Sequence, residues 1–248
     1  MKKPIILIFV GCYLPGFRAG GPIRTIANLV ESLGDEFDFR IITSDRDLGE
    51  KKPYSSVKIN EFNEVGKAKV FYASLKMMSL GNLRKLIRDI PYDVMYLNSF
   101  FNPRFTIRPL LLRRIGMLDN NPVIVAPRGE FSDGALKLKF PKKRAYIAFS
   151  KTMGLYKNVI WQASSEYEER DIRKWFGDSA VVHIAPDLTP ANAGSVNQEL
   201  YQNRRKKEKD FLKIIFLSRI SPKKNLDGAL RILKKVKGRV EMNIYGPV

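Results

Sequence analysis

The sequence predicts an α/β fold, a doubly wound parallel sheet followed by the first βαβ unit of a second domain of the same kind. Short apolar runs alternate with amphipathic stretches from the amino terminus onward, the rhythm of parallel strands joined by crossover helices rather than of a sandwich or bundle. The rhythm lapses from Asp187 to Asp210 into small polar residues and the charge run Arg204-Arg205-Lys206-Lys207-Glu208-Lys209, which is the composition of a linker. It restarts at Phe211. The expected organisation is therefore a domain over residues 1–188, a linker over 189–210, and an incomplete second domain over 211–248.

The elements follow in order. Ile5 to Val10 reads as a buried strand. Lys2 and Lys3 precede it as in a signal peptide, but the run is short, is broken by Gly11, Tyr13, Pro15 and Gly16, and lacks a small-residue cleavage pattern. Pro22 to Leu33 is a helix with proline in its first turn, where the ring is tolerated. Strands are expected at Phe39 to Thr43, Val57 to Phe62 and Lys69 to Tyr72, then a helix over Leu75 to Asp89. Asp93 to Leu97 is a strand, Thr106 to Ile115 a helix and Val123 to Ala126 a strand. A basic helix spans Lys142 to Tyr156. Val159 to Ala163, Ser165 to Trp175 and Ala180 to Ile184 supply strand, helix and strand. Beyond the linker come a strand at Phe211 to Leu217, a helix at Leu226 to Val236 and a strand at Val240 to Tyr245. That last unit has little core of its own, because isolated pieces below about 40 residues rarely fold unaided.

Hydrophobic residues make up 44% of the chain, enough for a globular core, and 44 Lys and Arg against 25 Asp and Glu leave a formal charge of +19. Such a charge favours anionic partners: nucleic acid, acidic lipid headgroups or phosphorylated small molecules. The single cysteine, Cys12, excludes an internal disulfide and most cysteine-based metal sites, and fits a reducing cytoplasm. No stretch reaches the roughly 18 apolar residues of a membrane span, so any membrane contact is peripheral. The place for one is Lys137 to Lys157, where seven Lys or Arg and no acid interleave with Phe140, Tyr146, Ile147, Phe149, Met153 and Tyr156. A solvated face over a core stripe explains the same pattern.

Candidate site residues sit where strands end. The first strand leads into Gly11-Cys-Tyr-Leu-Pro-Gly16-Phe-Arg-Ala-Gly20-Gly21-Pro22. Its glycines let a ligand approach the backbone at a helix N-terminus, although the spacing is not that of the dinucleotide fingerprint. Asn98 either hydrogen-bonds a sugar or begins a turn. Arg128 either pairs with a phosphate or carboxylate or forms a surface pair with Glu130. Ser164 or Ser165 caps the helix that Glu166 opens, with Glu168 or Glu169 completing a capping box. His183 reads as a core or hinge histidine, and no metal site is expected. After the strand Phe211 to Leu217, the turn Ser218-Arg219-Ile-Ser-Pro-Lys223-Lys224-Asn225 places two lysines at a helix N-terminus, which is unfavourable unless an anion compensates.

Order and spacing together carry a resemblance. The glycine turn with Gly20-Gly21-Pro22, Pro127-Arg128-Gly129, Ala163-Ser-Ser-Glu166, Leu217-Ser-Arg219-Ile-Ser-Pro-Lys-Lys224-Asn and Ile244-Tyr-Gly-Pro247 resemble the group 1 (family four) GT-B glycosyltransferases over nearly the whole chain. The resemblance implies two Rossmann-like domains, the first receiving the acceptor and the second holding a nucleotide-sugar between the domains. It makes Arg219 and Lys224 the clamp on the donor diphosphate and Gly20 and Gly21 an acceptor or phosphate loop. Asn98, Arg128, Glu130, Ser165 and Glu166 become polar groups of the cleft. It implies a retaining, metal-independent transfer to a glycan or lipid-linked acceptor in surface polysaccharide synthesis, with the nucleotide-sugar as co-substrate and no other cofactor. The expected location is the cytoplasm, peripheral on the inner membrane face. The family's paired glutamates, seven residues apart, have no counterpart before Val248. The resemblance therefore implies truncation within the second domain and little or no donor turnover by this polypeptide. The alternatives are a basic nucleic-acid-binding α/β protein, for which no recognisable reading module appears, and a non-catalytic membrane-associated remnant.

Overall fold

The computed structural model describes residues 2–138, 140–190, 208–218 and 220–246, with only the backbone of Lys223. The chain divides into two compact units, Met1–Ala193 and Gly194–Val248.

The first unit is built on strands β1 (Ile5–Phe9), β2 (Asp38–Ser44), β3 (Phe62–Val65), β4 (Ala68–Ala73), β5 (Val94–Asn98), β6 (Val123–Ala126), β7 (Ile160–Ala163) and β8 (Val182–Ile184). They form one 8-stranded sheet in the order β3-β4-β2-β1-β5-β6-β7-β8. All pairings are parallel except the edge hairpin of β3 with β4. The chain winds outward from β1 to one side and from β5 to the other, so the sheet is doubly wound, as the βαβα rhythm predicts.

Helices α1 (Gly21–Leu33), α2 (Leu80–Arg88), α3 (Arg108–Arg114), α4 (Asp133–Lys137), α5 (Phe140–Thr152) and α6 (Glu166–Phe176) flank the sheet. Successive residues of a strand point to opposite faces, and β1 therefore feeds two cores. Leu7 and Phe9 join Leu83, Leu110, Ile147 and Ile172 of α2, α3, α5 and α6. Ile8 and Val10 join Ile26 and Val30 of α1. Because α1 is the helix on that second face, Val94, Ile124 and Ile160 line an open apolar groove of about 500 Å³ beside it. The first core is centred on the fully buried Phe100, whose ring stacks on Tyr156 at 4.4 Å and meets Phe131 at 4.7 Å.

Several expectations are corrected. The strand expected over Val57 to Phe62 is an irregular segment, and β3 starts only at Phe62. Asn63 closes this segment by accepting from Lys58 N and donating to Lys58 O, and Asn60 takes a left-handed φ of 60°. The helix expected from Leu75 begins at Leu80, behind the extended Ser79. The basic helix starts at Phe140 and ends at Thr152, leaving Tyr156 beyond it as a core ring. His183 is exposed rather than in the core, because β8 is the edge strand.

In the second unit β9 (Phe211–Leu217) and β10 (Arg239–Tyr245) pair in parallel over their full lengths. A 3-10 turn at Pro222–Lys224 and helix α7 (Leu226–Leu233) connect them. The helix stops short of the expected Val236, and none of its residues is fully buried. Most of the linker and Pro247 lie outside the described residues.

Candidate functional site

Open parallel sheets bind ligands beyond the carboxyl ends of their strands, at the point where the winding reverses. Here that point lies between β1 and β5, and the glycine turn leaves β1 there. Gly20 ends the turn at φ 68° and ψ −119°, a backbone geometry that a side chain rarely adopts, and the space where its Cβ would stand is open. It also sits at the N-cap of α1, which has no side-chain cap and no acid in its first turn, so the helix start faces outward without a built-in anion.

The turn is held from below by a residue that the sequence analysis did not single out. Asp47, buried just after β2, accepts hydrogen bonds from Phe17 N (2.9 Å) and Arg18 N (3.1 Å) on one oxygen and from Leu48 N (2.7 Å) on the other. Burial alone would raise its pKa, but these amides and the nearby Arg18 hold the carboxyl below the usual carboxylate range. Gly16 is packed so closely that a Cβ there would strike the Tyr54 hydroxyl.

Across the switch point, Asn98 is buried at the end of β5. Its amide donates to Phe9 O, and its carbonyl oxygen accepts from Arg128 Nε (3.2 Å) and Nη2 (2.8 Å). Arg128, in a left-handed conformation at φ 58°, also donates to the Tyr96 hydroxyl at 2.6 Å and forms an ion pair with Asp187. The guanidinium is thus enclosed by internal acceptors. Tyr96 in turn bonds Gln162, and burial pushes its hydroxyl pKa up to about 12. The expected alternative, a surface pair of Arg128 with Glu130, does not form. Glu130 turns inward and accepts from Ser99 Oγ, Phe100 N and Phe101 N, while burial raises its pKa.

Ser165 is the N-cap of α6, accepting from Glu168 N, and Glu166 is exposed and pairs with Arg170. The structure adds Glu168. Instead of returning to Ser165 as in a closed capping box, its carboxylate accepts from Ser164 N, Ser164 Oγ and, 39 residues away, Gly129 N at 2.6 Å. It ties the Pro127-Arg128-Gly129 turn to the start of α6. Asn98, Arg128, Glu130 and Ser165 therefore converge in one hydrogen-bonded edge, whereas Glu166 stands outside it.

In the second unit Lys224 is exposed at the end of the 3-10 turn, its N–H bonded to Ser221 O at 2.9 Å. Asn225 follows in a left-handed conformation and opens α7. Arg219 lies outside the described residues. Asp227 in the first turn supplies some negative charge there, although it is paired with Arg231. Among the described residues no group of three His, Cys, Asp or Glu could hold a metal ion.

The chain matches no protein-family pattern and no curated protein sequence. Its fold does match solved structures. A sucrose-phosphate synthase from Thermosynechococcus elongatus aligns over 99% of this chain and 62% of its own, with a TM-score of 0.60 at 14% identity. Anabaena HepE, solved in complex with UDP-glucose, aligns over 97% of this chain and 60% of its own, with a TM-score of 0.57 at 12% identity. A UDP-forming α,α-trehalose-phosphate synthase from Burkholderia vietnamiensis aligns over 100% of this chain and 64% of its own, with a TM-score of 0.57 at 12% identity. The chain spans less than two thirds of the length of each, and what it shares with them is the Rossmann-like α/β fold.

Proposed function

We propose that the chain belongs to a glycosyltransferase that moves a sugar from a nucleotide-sugar donor to a glycan or lipid-linked acceptor in surface polysaccharide synthesis. The observation that carries this reading is the likeness of fold, across nearly the whole chain, to a protein solved with UDP-glucose. The open space at Gly20 on the switch-point turn and the exposed Lys224 after β9 support it. In the proposal Arg219 and Lys224 hold the donor diphosphate and offset its charge as it departs. Gly20 and Gly21 receive the acceptor or a phosphate. The acceptor oxygen replaces the diphosphate on the anomeric carbon with retained configuration and without a metal, and the hydroxyl proton leaves with the diphosphate. Asn98, Arg128, Glu130 and Ser165 shape the edge rather than react, because their polar atoms are engaged with one another and with neighbouring backbone. A cytoplasmic place on the inner membrane face belongs to the same reading.

Calorimetric titration of the full chain with UDP, GDP and ADP tests it. At least one nucleoside diphosphate binds, and Lys224→Ala weakens that binding about tenfold, the scale of one charge-assisted phosphate contact, without moving the unfolding midpoint. Absence of binding by all three would refute the proposal.

A further inference from the structure

We infer that the amino-terminal end of the first unit's sheet carries a second anion site, which takes the phosphate or diphosphate group of a small molecule. A cavity of about 400 Å³ opens there, and five basic residues, Lys2, Lys3, Arg40, Lys67 and Lys69, line it against one acid, Asp38. The glycine turn leaves the opposite, carboxyl end of these strands, so the cavity is separate from the site described above.

The charges around it stand side by side instead of cancelling. Arg40 on β2 is the register partner of Lys69 on β4, and like charges so placed on neighbouring strands repel. Arg40 also shares its face of β2 with Ile42, a core residue, where parallel strands are ordinarily apolar. Asp38 accepts only from Arg40 Nη2, at 3.0 Å, and Arg40 Nε is buried without an acceptor. Lys2 and Lys69 are exposed and have no hydrogen-bond or ion-pair partner among the described residues. Glu64 stands opposite Lys69 on β3 without pairing with it. Lys67 is paired with Asp35, and Lys3 is fixed by donating to Gly34 O at 3.1 Å. Once the two ion pairs are set aside, Lys2, Lys3 and Lys69 remain uncompensated around a half-used guanidinium. A solvated sheet end would place opposite signs on neighbouring strands. Three ammonium groups and a guanidinium fork suit a group with two or more negative charges and several acceptor oxygens, which a phosphate provides and a single carboxylate does not. Phe37 and Pro91 offer an apolar wall to the rest of the molecule. This site goes beyond the sugar-transfer reading and does not depend on it.

Calorimetric titration of the full chain with inorganic pyrophosphate provides the test, carried out on the Lys224→Ala variant so that the lysine turn contributes little. Pyrophosphate binds this variant. Adding Lys69→Gln weakens binding about tenfold, the scale of one charge-assisted phosphate contact, and adding Arg40→Gln with Lys69→Gln weakens it at least about a hundredfold. Lys69 has no partner to lose, so Lys69→Gln does not lower the unfolding midpoint in phosphate-free buffer. Pyrophosphate raises that midpoint when Arg40 and Lys69 are present and not when both are replaced. Lys142→Gln with Arg144→Gln removes the same charge from exposed positions on α5 and leaves the affinity within about twofold, since charges off the contact are screened at ordinary salt. The effect of Lys224→Ala on nucleoside diphosphate binding is the same with or without Lys69→Gln, as for independent sites, so this site and the donor site stand or fall separately. Absence of pyrophosphate binding, an equal loss in the α5 pair, or no loss with Lys69→Gln overturns the inference.

Discussion

β1 and β9 are both short apolar parallel strands that lead into a turn and a helix, yet they have opposite surroundings. Leu7, Ile8 and Phe9 are fully enclosed in the sheet's interior, whereas Ile215 and Leu217 are 64% and 79% exposed in a unit whose described residues form two strands and one α-helix. Strand character is a local property, set by composition. Burial is set by how many neighbours the topology supplies. The first unit has strands on both sides of β1, and its polar edge is held by hydrogen bonds between distant segments. In the second, Lys224 stands on a turn that few buried contacts hold.

The contrast is broken most severely at the aromatic centre. Phe100→Ala should cost about 3–5 kcal/mol, read from denaturant unfolding by tryptophan fluorescence. Both tryptophans, Trp161 and Trp175, lie in the first unit and so report on it alone. Ile215→Ala should leave that transition unchanged. A comparable loss from both would mean that the second unit shares the first unit's core.

Arg128→Ala comes next. It strips donors from Tyr96, Asn98 and Asp187 in a largely enclosed site, at a cost of about 2–4 kcal/mol. Arg128→Lys should recover only part of the loss, because one ammonium cannot reproduce the guanidinium's fork of donors. Full recovery would show that charge alone matters there.

Asp47→Ala is expected to cost about 1–3 kcal/mol by removing a charged acceptor from three part-buried backbone amides and to speed hydrogen exchange at Phe17 and Arg18 selectively. The sign with pH follows from its lowered pKa. The stabilisation from Asp47 is present above the unfolded carboxylate range and is lost as the solution is acidified through the lower, folded value. The wild-type chain should therefore lose more stability than the variant on acidification. Parallel acid limbs would remove Asp47 from the account.

Most of the scaffold was legible in the sequence because buried parallel strands leave unbroken apolar runs, as at Val123–Ala126 and Phe211–Leu217, whose bounds match the expectation. Val57 to Phe62 misled because its apolar residues pack from an irregular loop that Asn63 closes, and apolar content alone does not distinguish the two. The glycine turn was visible through Gly20 and Gly21. Its support was not: Asp47 is one of several acids after β2, and only the folded chain brings it to Phe17 N and Arg18 N. Glu168 was visible as a capping residue, but its bond to Gly129 spans 39 positions and leaves no local pattern. Arg128 was visible as a residue that could pair with a carboxylate or phosphate, whereas its actual acceptors, Tyr96, Asn98 and Asp187, come from distant segments.

Hydrogen exchange on the full chain, with and without a saturating nucleoside diphosphate that binds in the titration, tests the central claim most directly. Without nucleotide, amides of β1 and β5 should exchange only through global unfolding, and those of β9 and β10 at least about a hundredfold faster, as expected of a region with few buried contacts. With nucleotide, β9, β10 and the Ser221–Lys224 turn should slow by an amount set by binding, while α5 stays unchanged. Equal protection of β1 and β9 without nucleotide, together with no response of the Ser221–Lys224 turn to it, would contradict both the contrast and the donor site.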